Sequence, residues 1–308
     1  MKIIIVGYGI QGKKRIKTIK KHQLCGIVDP IIKSADYSYI EHVPLESYDT
    51  VILCTPDNKK EKVILYCVKH NKNILVEKPL IFDSLKKLIN LEKTINKKKL
   101  ILYTAYNHRF EPNIIKLKKI IDKKKLGKLY SCRMFYGNGT AKLVKNSFWK
   151  DDKNGVLNDL IPHLIDLCIF LFGHKHIKEF VLVSYFRHEN NAPDHIVIKN
   201  NNLYFNIELE ATYCMWRNSF SCDLIGEFGS AHLNSLCKWG PAELILRKRK
   251  FPSGKPIEKK NIINSVDNTW VTEFKYFKSL VNNKKKQNLS TDLKILKNII
   301  NLQKKIKL

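Results

Sequence analysis

The feature that most narrows what this chain can fold into is a glycine turn set between an apolar strand and a helix. Lys2 to Val6 reads as a short buried strand, and Gly7-Tyr8-Gly9-Ile10-Gln11-Gly12 follows it directly. Ile10 to Lys21 then reads as a helix with Ile16 and Ile19 on one face. Alone, a G-x-G-x-x-G spacing says little; after a strand and opening a helix it has a mechanical meaning. The glycines permit a tight turn, close approach of a pyrophosphate and close helix–strand packing, with the helix N-terminus facing the phosphates. Gly7, Gly9, Ile10, Gln11 and Gly12 are therefore candidate cofactor contacts. Asp29, 22 residues beyond Gly7, ends a second strand from Leu24 to Val28. A carboxylate there accepts hydrogen bonds from a ribose diol and repels a 2′-phosphate, which favours NAD and leaves NADP as the second choice.

The first hundred residues continue the alternation. Strands are expected at Thr50 to Cys54, Asn73 to Val76 and Leu100 to Ala105. Helices are expected near Glu61 to His70 and Leu85 to Asn96, the latter capped by Asp83 or Ser84. Residues 30–48 show little periodicity. Such alternation implies an α/β fold with a parallel, doubly wound sheet, whose ligands bind beyond the carboxyl ends of the strands. Two segments fall at that edge. Thr55-Pro56 closes the third strand. Glu77-Lys78-Pro79 follows Ile74-Leu75-Val76 and leaves Lys78 extended at a strand end, because proline biases its predecessor away from helix.

Beyond residue 105 the texture changes, which sets the expected domains at 1–105 and 106–308. A helix is expected near Asn113 to Lys123, a strand at Leu129 to Tyr136, a polar loop over 137–155 and a helix running to about Phe172. Past Phe180 the pattern has period two: Phe205, Ile207, Leu209 and Ala211 face one way, and Asn206, Glu208, Glu210 and Thr212 the other. That alternation belongs to a mixed or antiparallel sheet with unlike faces. Asn158-Asp159-Leu160-Ile161-Pro162-His163 opens the helix before it. Pro162 suits a first helical turn, and Asp159 and His163, four apart, can share a face. An imidazole so placed can take or give a hydroxyl proton when hydride leaves or reaches the attached carbon. A structural Asp–His pair is the alternative.

Composition excludes more than it assigns. The net charge of +28 invites a nucleic-acid reading, but seven arginines stand against 49 lysines, spread along helix faces. Nucleic-acid surfaces favour the planar arginine fork, so a codon bias toward Lys, Ile and Asn is the simpler account. A positive field still attracts anionic substrates. No apolar run approaches the roughly 18 residues of a membrane helix, and the apolar start is too brief for a secretory signal. None of the eight cysteines forms a C-x-x-C pair, so free thiols in a reducing cytoplasm are expected, with no metal.

Together these segments resemble the glucose–fructose oxidoreductase, inositol dehydrogenase and MocA family (Gfo/Idh/MocA). The resemblance rests on residues 7–12, Asp29, Thr55-Pro56-Asp57, Val76-Glu77-Lys78-Pro79-Leu80, Asn107-His108-Arg109-Phe110-Glu111-Pro112 and Gly155-Val156-Leu157-Asn158-Asp159 through His163 and Asp166. It implies an N-terminal Rossmann domain and a C-terminal α/β domain with a large open, predominantly antiparallel sheet that mediates homodimers or homotetramers. It implies NAD(P)-dependent hydride transfer at a carbinol carbon of a sugar, cyclitol or nucleotide sugar. By position it makes Lys78, Asp159 and His163 the catalytic group, with Thr55, Pro56, Glu77, Lys78 and Asn107 on the cofactor side. Lys78, Asn107, Arg109, Asn158 and His163 fall on the substrate side. Two departures stand out: Lys60 occupies a position where the family often has histidine, and Ile161 replaces a usual glycine. Ser235-Leu236-Cys237-Lys238-Trp239-Gly240-Pro241 is specific in character and has no assigned role. The expectation is a cytoplasmic enzyme acting on an anionic sugar in surface-polysaccharide synthesis, the alternative being a catalytically silent dinucleotide sensor or scaffold.

Overall fold

The computed structural model describes residues 1–147, 150–151, 154–200 and 204–306; positions 148, 149, 152 and 153 of the expected polar loop lie outside the described residues. The chain divides into two compact units, one of residues 1–107 with 270–296, the other of residues 108–269 with 297–308.

The first unit is built on a parallel sheet of β1 (Ile3–Val6), β2 (Leu24–Val28), β3 (Thr50–Leu53), β4 (Asn73–Glu77) and β5 (Leu102–Ala105), in the order β2-β1-β3-β4-β5. Strand order reverses between β1 and β3, which opens a crevice at their carboxyl ends. The helices are α1 (Ile10–Ile16), α2 (Asp57–Lys69) and α3 (Leu85–Lys97). Ser84 caps α3, its hydroxyl accepting from the Lys87 N–H at 3.3 Å. Helix α1 stops at Ile16, short of the expected Lys21. The Thr18 hydroxyl donates to the Arg15 carbonyl at 2.8 Å, and the chain leaves through a turn. Residues 30–48 form two 3-10 turns, Ile40–His42 and Leu45–Ser47.

Helix α8 (Thr269–Asn282) corrects the expected assignment of everything past 105 to the second domain. Its apolar stripe of Phe274, Phe277 and Leu280 lies in one cluster with Ile3, Ile5, Ile52, Leu75 and Ile101 of the first sheet. Each buried phenylalanine contributes roughly 1.5–3 kcal/mol. Periodicity says that a helix face packs; it does not say against which sheet.

The second unit holds an eight-stranded sheet: β6 (Leu129–Gly137), β7 (Phe180–Phe186), β8 (His195–Asn200), β9 (Asn206–Thr212), β10 (Ser219–Gly226), β11 (Gly229–Asn234), β12 (Ala242–Lys248) and β13 (Ile257–Ile263). Their order is β13-β12-β11-β10-β6-β9-β8-β7, antiparallel except for β6 with β9. One face carries Cys132, Met134, Ile207, Leu209, Cys222 and Leu224, all fully buried. The other carries Arg133 bonded to Glu208 at 2.7 Å and Asp223 bonded to His232 at 2.6 Å. Period two is thus expressed as one packed and one polar face. Helices α4 (Pro112–Asp122), α5 (Ala141–Lys145), α6 (Val156–Asp159) and α7 (Ile161–Phe172) belong to this unit, and the division between the units falls within α9 (Ser290–Gln303). The short α5 interrupts what the sequence suggested was all loop, and α6 and α7 replace the single expected helix.

Candidate active-site residues in the two units

In the first unit the glycine turn is shaped by what approaches it. Gly7 has φ +91°, and a Cβ there would lie 2.7 Å from the Cys54 carbonyl carbon, so only glycine lets the β3 exit pass this close. A Cβ on Gly12 would meet the Gly7 carbonyl oxygen at 2.2 Å. Gly9 faces open space, with nothing within 4 Å of its would-be Cβ. Ile10 and Gln11 are exposed beside it. This is a backbone cradle open on one side. Thr55 borders the crevice, and its buried hydroxyl oxygen has no partner among the described residues. Both features fit a dinucleotide, which would use the open side of Gly9 and the Thr55 hydroxyl. Pro56 precedes α2 and is exposed.

Asp29 does more than wait for a ribose. Its Oδ2 accepts from the Tyr8 N–H at 2.7 Å, and its Oδ1 from Ile31 and Ile32 at 2.9 and 3.0 Å. Burial pulls this carboxyl up, but the three N–H donors outweigh it and hold Asp29 below its ordinary range. The same residue thus ties the glycine turn to the loop after β2.

At the end of β4, Glu77 is committed to a buried ion cluster. Arg15, fully buried on α1, donates from Nε to Glu77 Oε1 at 2.6 Å and from Nη1 to Glu273 Oε2 at 2.7 Å. Trp270 stacks on the guanidinium at 4.1 Å. Burial works against the Arg15 charge, yet the two carboxylates raise its pKa and keep it ionised. One cation facing two acids leaves one acid short. Burial first, and then the charge of Glu77, push Glu273 up to about 7 against the pull of Arg15. Sequence reading had missed Arg15, since a basic residue in a lysine-rich helix gives no signal of burial.

Lys78 follows, half-buried, its peptide to Pro79 cis. The backbone that carries it is pinned by Lys60. That ammonium, 1% exposed, donates to the carbonyls of Glu77, Lys78 and Pro79 at 2.7, 3.1 and 3.0 Å. It also pairs with Asp57 at 2.7 Å. Asn107, buried, closes the unit.

In the second unit, Gly155 sets the entry to α6. At φ +44° a Cβ would fall 2.0 Å from the Pro193 carbonyl oxygen, the same oxygen that accepts the Val156 N–H at 3.0 Å. Asp159 ends α6, and its Oδ2 accepts from the Tyr213 hydroxyl at 3.3 Å. The buried side-chain oxygen of Asn158 has no partner among the described residues. His163 sits in the first turn of α7, 7% exposed, with Pro162 before it. Arg109 grips α7 one turn later, its Nε and Nη2 donating to Asp166 in a two-pronged pair. Burial raises the Asp166 pKa, and Arg109 opposes the rise. Half of the Arg109 fork is therefore spent within the unit. The structure also brings forward His108, whose ring stacks on His163 at 4.2 Å and 19°.

Residues 1–106 match the model of the oxidoreductase family with NAD-binding Rossmann fold, and residues 114–232 match that of the GFO/IDH/MocA C-terminal domain. The chain belongs to the Gfo/Idh/MocA family. It is 27% identical over 198 residues to glucose-6-phosphate 3-dehydrogenase of Bacillus subtilis strain 168, covering 58% of this chain and 56% of that protein. It is 24% identical over 191 residues to inositol 2-dehydrogenase of Rhodococcus jostii RHA1, covering 57% and 50%. The chain spans about half the length of these curated relatives. In fold it is similar to an oxidoreductase of Desulfitobacterium hafniense DCB-2, with a TM-score of 0.84 at 17% identity over 99% of this chain and 94% of that one.

Within this family frame the two departures have physical accounts. Lys60, in place of the frequent histidine, supplies more donors than an imidazole has, and they serve three carbonyls. Ile161, in place of glycine, is fully buried as the first residue of α7. Among the described residues one group has the spacing of a metal site, Glu111, Cys237 and Asp267. Burial, then the hydrogen bond to Glu111 and its charge, push the Cys237 thiol up to about 12. No helix among the described residues is long and apolar enough to cross a membrane.

Proposed function

We propose that this protein is an NAD-dependent oxidoreductase acting on a carbinol carbon of an anionic sugar, a sugar phosphate or nucleotide sugar. What carries the reading is the dinucleotide cradle of the first unit: open at Gly9, bordered by the Thr55 hydroxyl, and sharing its sheet edge with Lys78. The net charge of +28 favours an anionic substrate. One relative, glucose-6-phosphate 3-dehydrogenase, is named for a phosphorylated sugar.

Bound nicotinamide supplies a hydride acceptor or donor at its C4. The chain handles the proton. When the carbinol C–H leaves with its electron pair, the hydroxyl proton passes to the His163 imidazole, and in reduction it returns from there. Asp159 orients His163, and Lys78 donates a hydrogen bond to the reacting oxygen. Asn158 and Arg109 contact the substrate, and Asp29 favours the unphosphorylated ribose of NAD. Self-association as a homodimer or homotetramer would use the outward face of the second sheet, where Val181, Ile225 and Ile262 are exposed; light scattering of the purified protein tests it.

The decisive experiment is a screen of purified protein with NAD and NADP against sugars, sugar phosphates and nucleotide sugars. On the substrate found, Lys78→Met and His163→Ala each lower turnover by about 10²–10⁴ while NADH binding, read by fluorescence, persists. Full turnover in both variants would end the mechanism. NADH binding with no turnover on any substrate would favour a silent sensor.

A further inference from the structure

The segment Ser235 to Pro241 forms a held turn in the second unit. Ser235 has φ +63° and Gly240 φ +117°, and between them Cys237–Trp239 make one 3-10 turn. A serine held in the left-handed region costs about 1–2 kcal/mol, so its surroundings must over-determine it. They do: the Ser235 N–H donates to the Phe220 carbonyl at 2.8 Å, the Trp239 N–H to Leu236 at 3.0 Å, and the Cys237 N–H to Glu111 Oε2 at 3.2 Å. The turn presents Lys238. Its Nζ lies 3.1 Å from His108 Nε2, 4.3 Å from the centre of the Trp239 ring and 5.6 Å from that of Tyr136.

Two aromatic faces favour the ammonium form of Lys238. An ammonium has donors only, so the His108 Nε2 it meets must be the acceptor, and the ring proton must sit on Nδ1. The opposite face of the matter is His163, stacked on His108. Two stacked imidazoles cannot both take a proton without repulsion, and the cation at Nε2 disfavours the second charge on His108. We infer that Lys238 is a positioning residue that fixes His108 as the neutral Nδ1–H tautomer, leaving His163 as the one imidazole of the stacked pair that accepts a proton. The inference rests on the proton-handling role of His163 proposed above.

Other ionisable groups stand near the pair. Tyr136, 5.8 Å from His163, is kept neutral by burial and then by the charge of Asp159. Arg109 is paired with Asp166. Glu111, whose N–H donates to the His108 carbonyl at 3.2 Å, has its pKa raised by burial.

The test reads the imidazoles directly and needs no substrate: long-range proton–nitrogen correlation spectra of histidine-labelled full-length protein across pH, with His108→Phe assigning the signals. In the wild type His108 shows the Nδ1–H tautomer and titrates below an ordinary imidazole, whose midpoint is about 6.5. Lys238→Met raises the His108 midpoint by about one unit or more, and Lys238→Arg keeps it low. A wild-type His108 that carries its proton on Nε2, or titrates in the ordinary range, overturns the inference, and this result stands even should Lys238→Met fail to fold. A His108 midpoint that Lys238→Met leaves in place overturns it as well. Failure of the catalytic proposal shows elsewhere, as full turnover in His163→Ala with the tautomer unchanged.

Discussion

The two units support their candidate groups by opposite means. Behind Lys78 the first unit buries charge: Lys60 holds three carbonyls, and Arg15 holds Glu77 and Glu273. Against His163 itself the second unit sets rings, with His108 stacked on it and Tyr136 and Phe220 around them, while its buried pair, Arg109 with Asp166, lies a turn further along α7. A buried charge is held only while its counter-charge is present, because removing one partner strands the other in low dielectric. A ring against a ring is held by area and shape, so a similar ring serves nearly as well. Substitutions and pH should therefore act strongly behind Lys78 and weakly behind His163.

The largest effect is expected at Arg15. Arg15→Met leaves two carboxylates buried without their cation and costs roughly 3–5 kcal/mol, measured by urea unfolding at neutral pH. A loss under about 1 kcal/mol would mean that water reaches the cluster and that the contrast between the units is false. Next comes Lys60. Lys60→Met strips a donor from the carbonyls of Glu77, Lys78 and Pro79 and frees Asp57, at a cost of about 2–3 kcal/mol. Lys60→His, which installs the histidine frequent in the family, should recover part of that loss and of the turnover. If Lys60→Met keeps both stability and turnover, the backbone of Lys78 is held by something other than this ammonium.

The cluster also carries a pH signature with a definite sign. Glu273 has a folded pKa of about 7, above its ordinary value of 4.5. Between those values the folded protein binds the proton that the unfolded chain has released. Stability from this group is therefore complete below about pH 4.5 and is lost as pH rises through about 7. Glu273→Gln removes the titration. Its stability relative to wild type should rise by on the order of 2 kcal/mol from pH 5 to pH 8, measured by urea unfolding at each pH. A pH-independent difference would place Glu273 outside any proton linkage.

What could be read from sequence followed the range of the forces involved. The glycine turn, the strand that ends at Lys78 and the helix start at Pro162 depend on neighbours in the chain, and local pattern exposed them. The start of α6 and its separation from α7 were not legible, since Gly155 is required by an oxygen of Pro193, 38 residues away. Arg15 gave no signal in its lysine-rich helix, and Lys60 stood out only as a departure from the family pattern; their burial depends on Glu77, Glu273 and a row of carbonyls that only folding assembles. Lys238 stood in a segment that looked specific without a mechanism, and its meaning came from a ring 130 positions earlier. Helix α8 showed a clear apolar stripe, yet its partner sheet had to be seen.

The smallest effect is expected at His108, and it tests the contrast from its quiet side. His108→Phe keeps an aromatic ring against His163, Tyr136 and Phe220 while removing the acceptor for Lys238. Area and stacking survive, so stability should change by less than about 1 kcal/mol. Lys238 retains the faces of Trp239 and Tyr136, so its ammonium is not stranded as Glu273 is stranded without Arg15. A loss of roughly 3 kcal/mol or more in thermal or urea unfolding would show that the His108–Lys238 contact behaves as a buried charge pair. The second unit would then be held by the same logic as the first, and the ring stack would be its consequence.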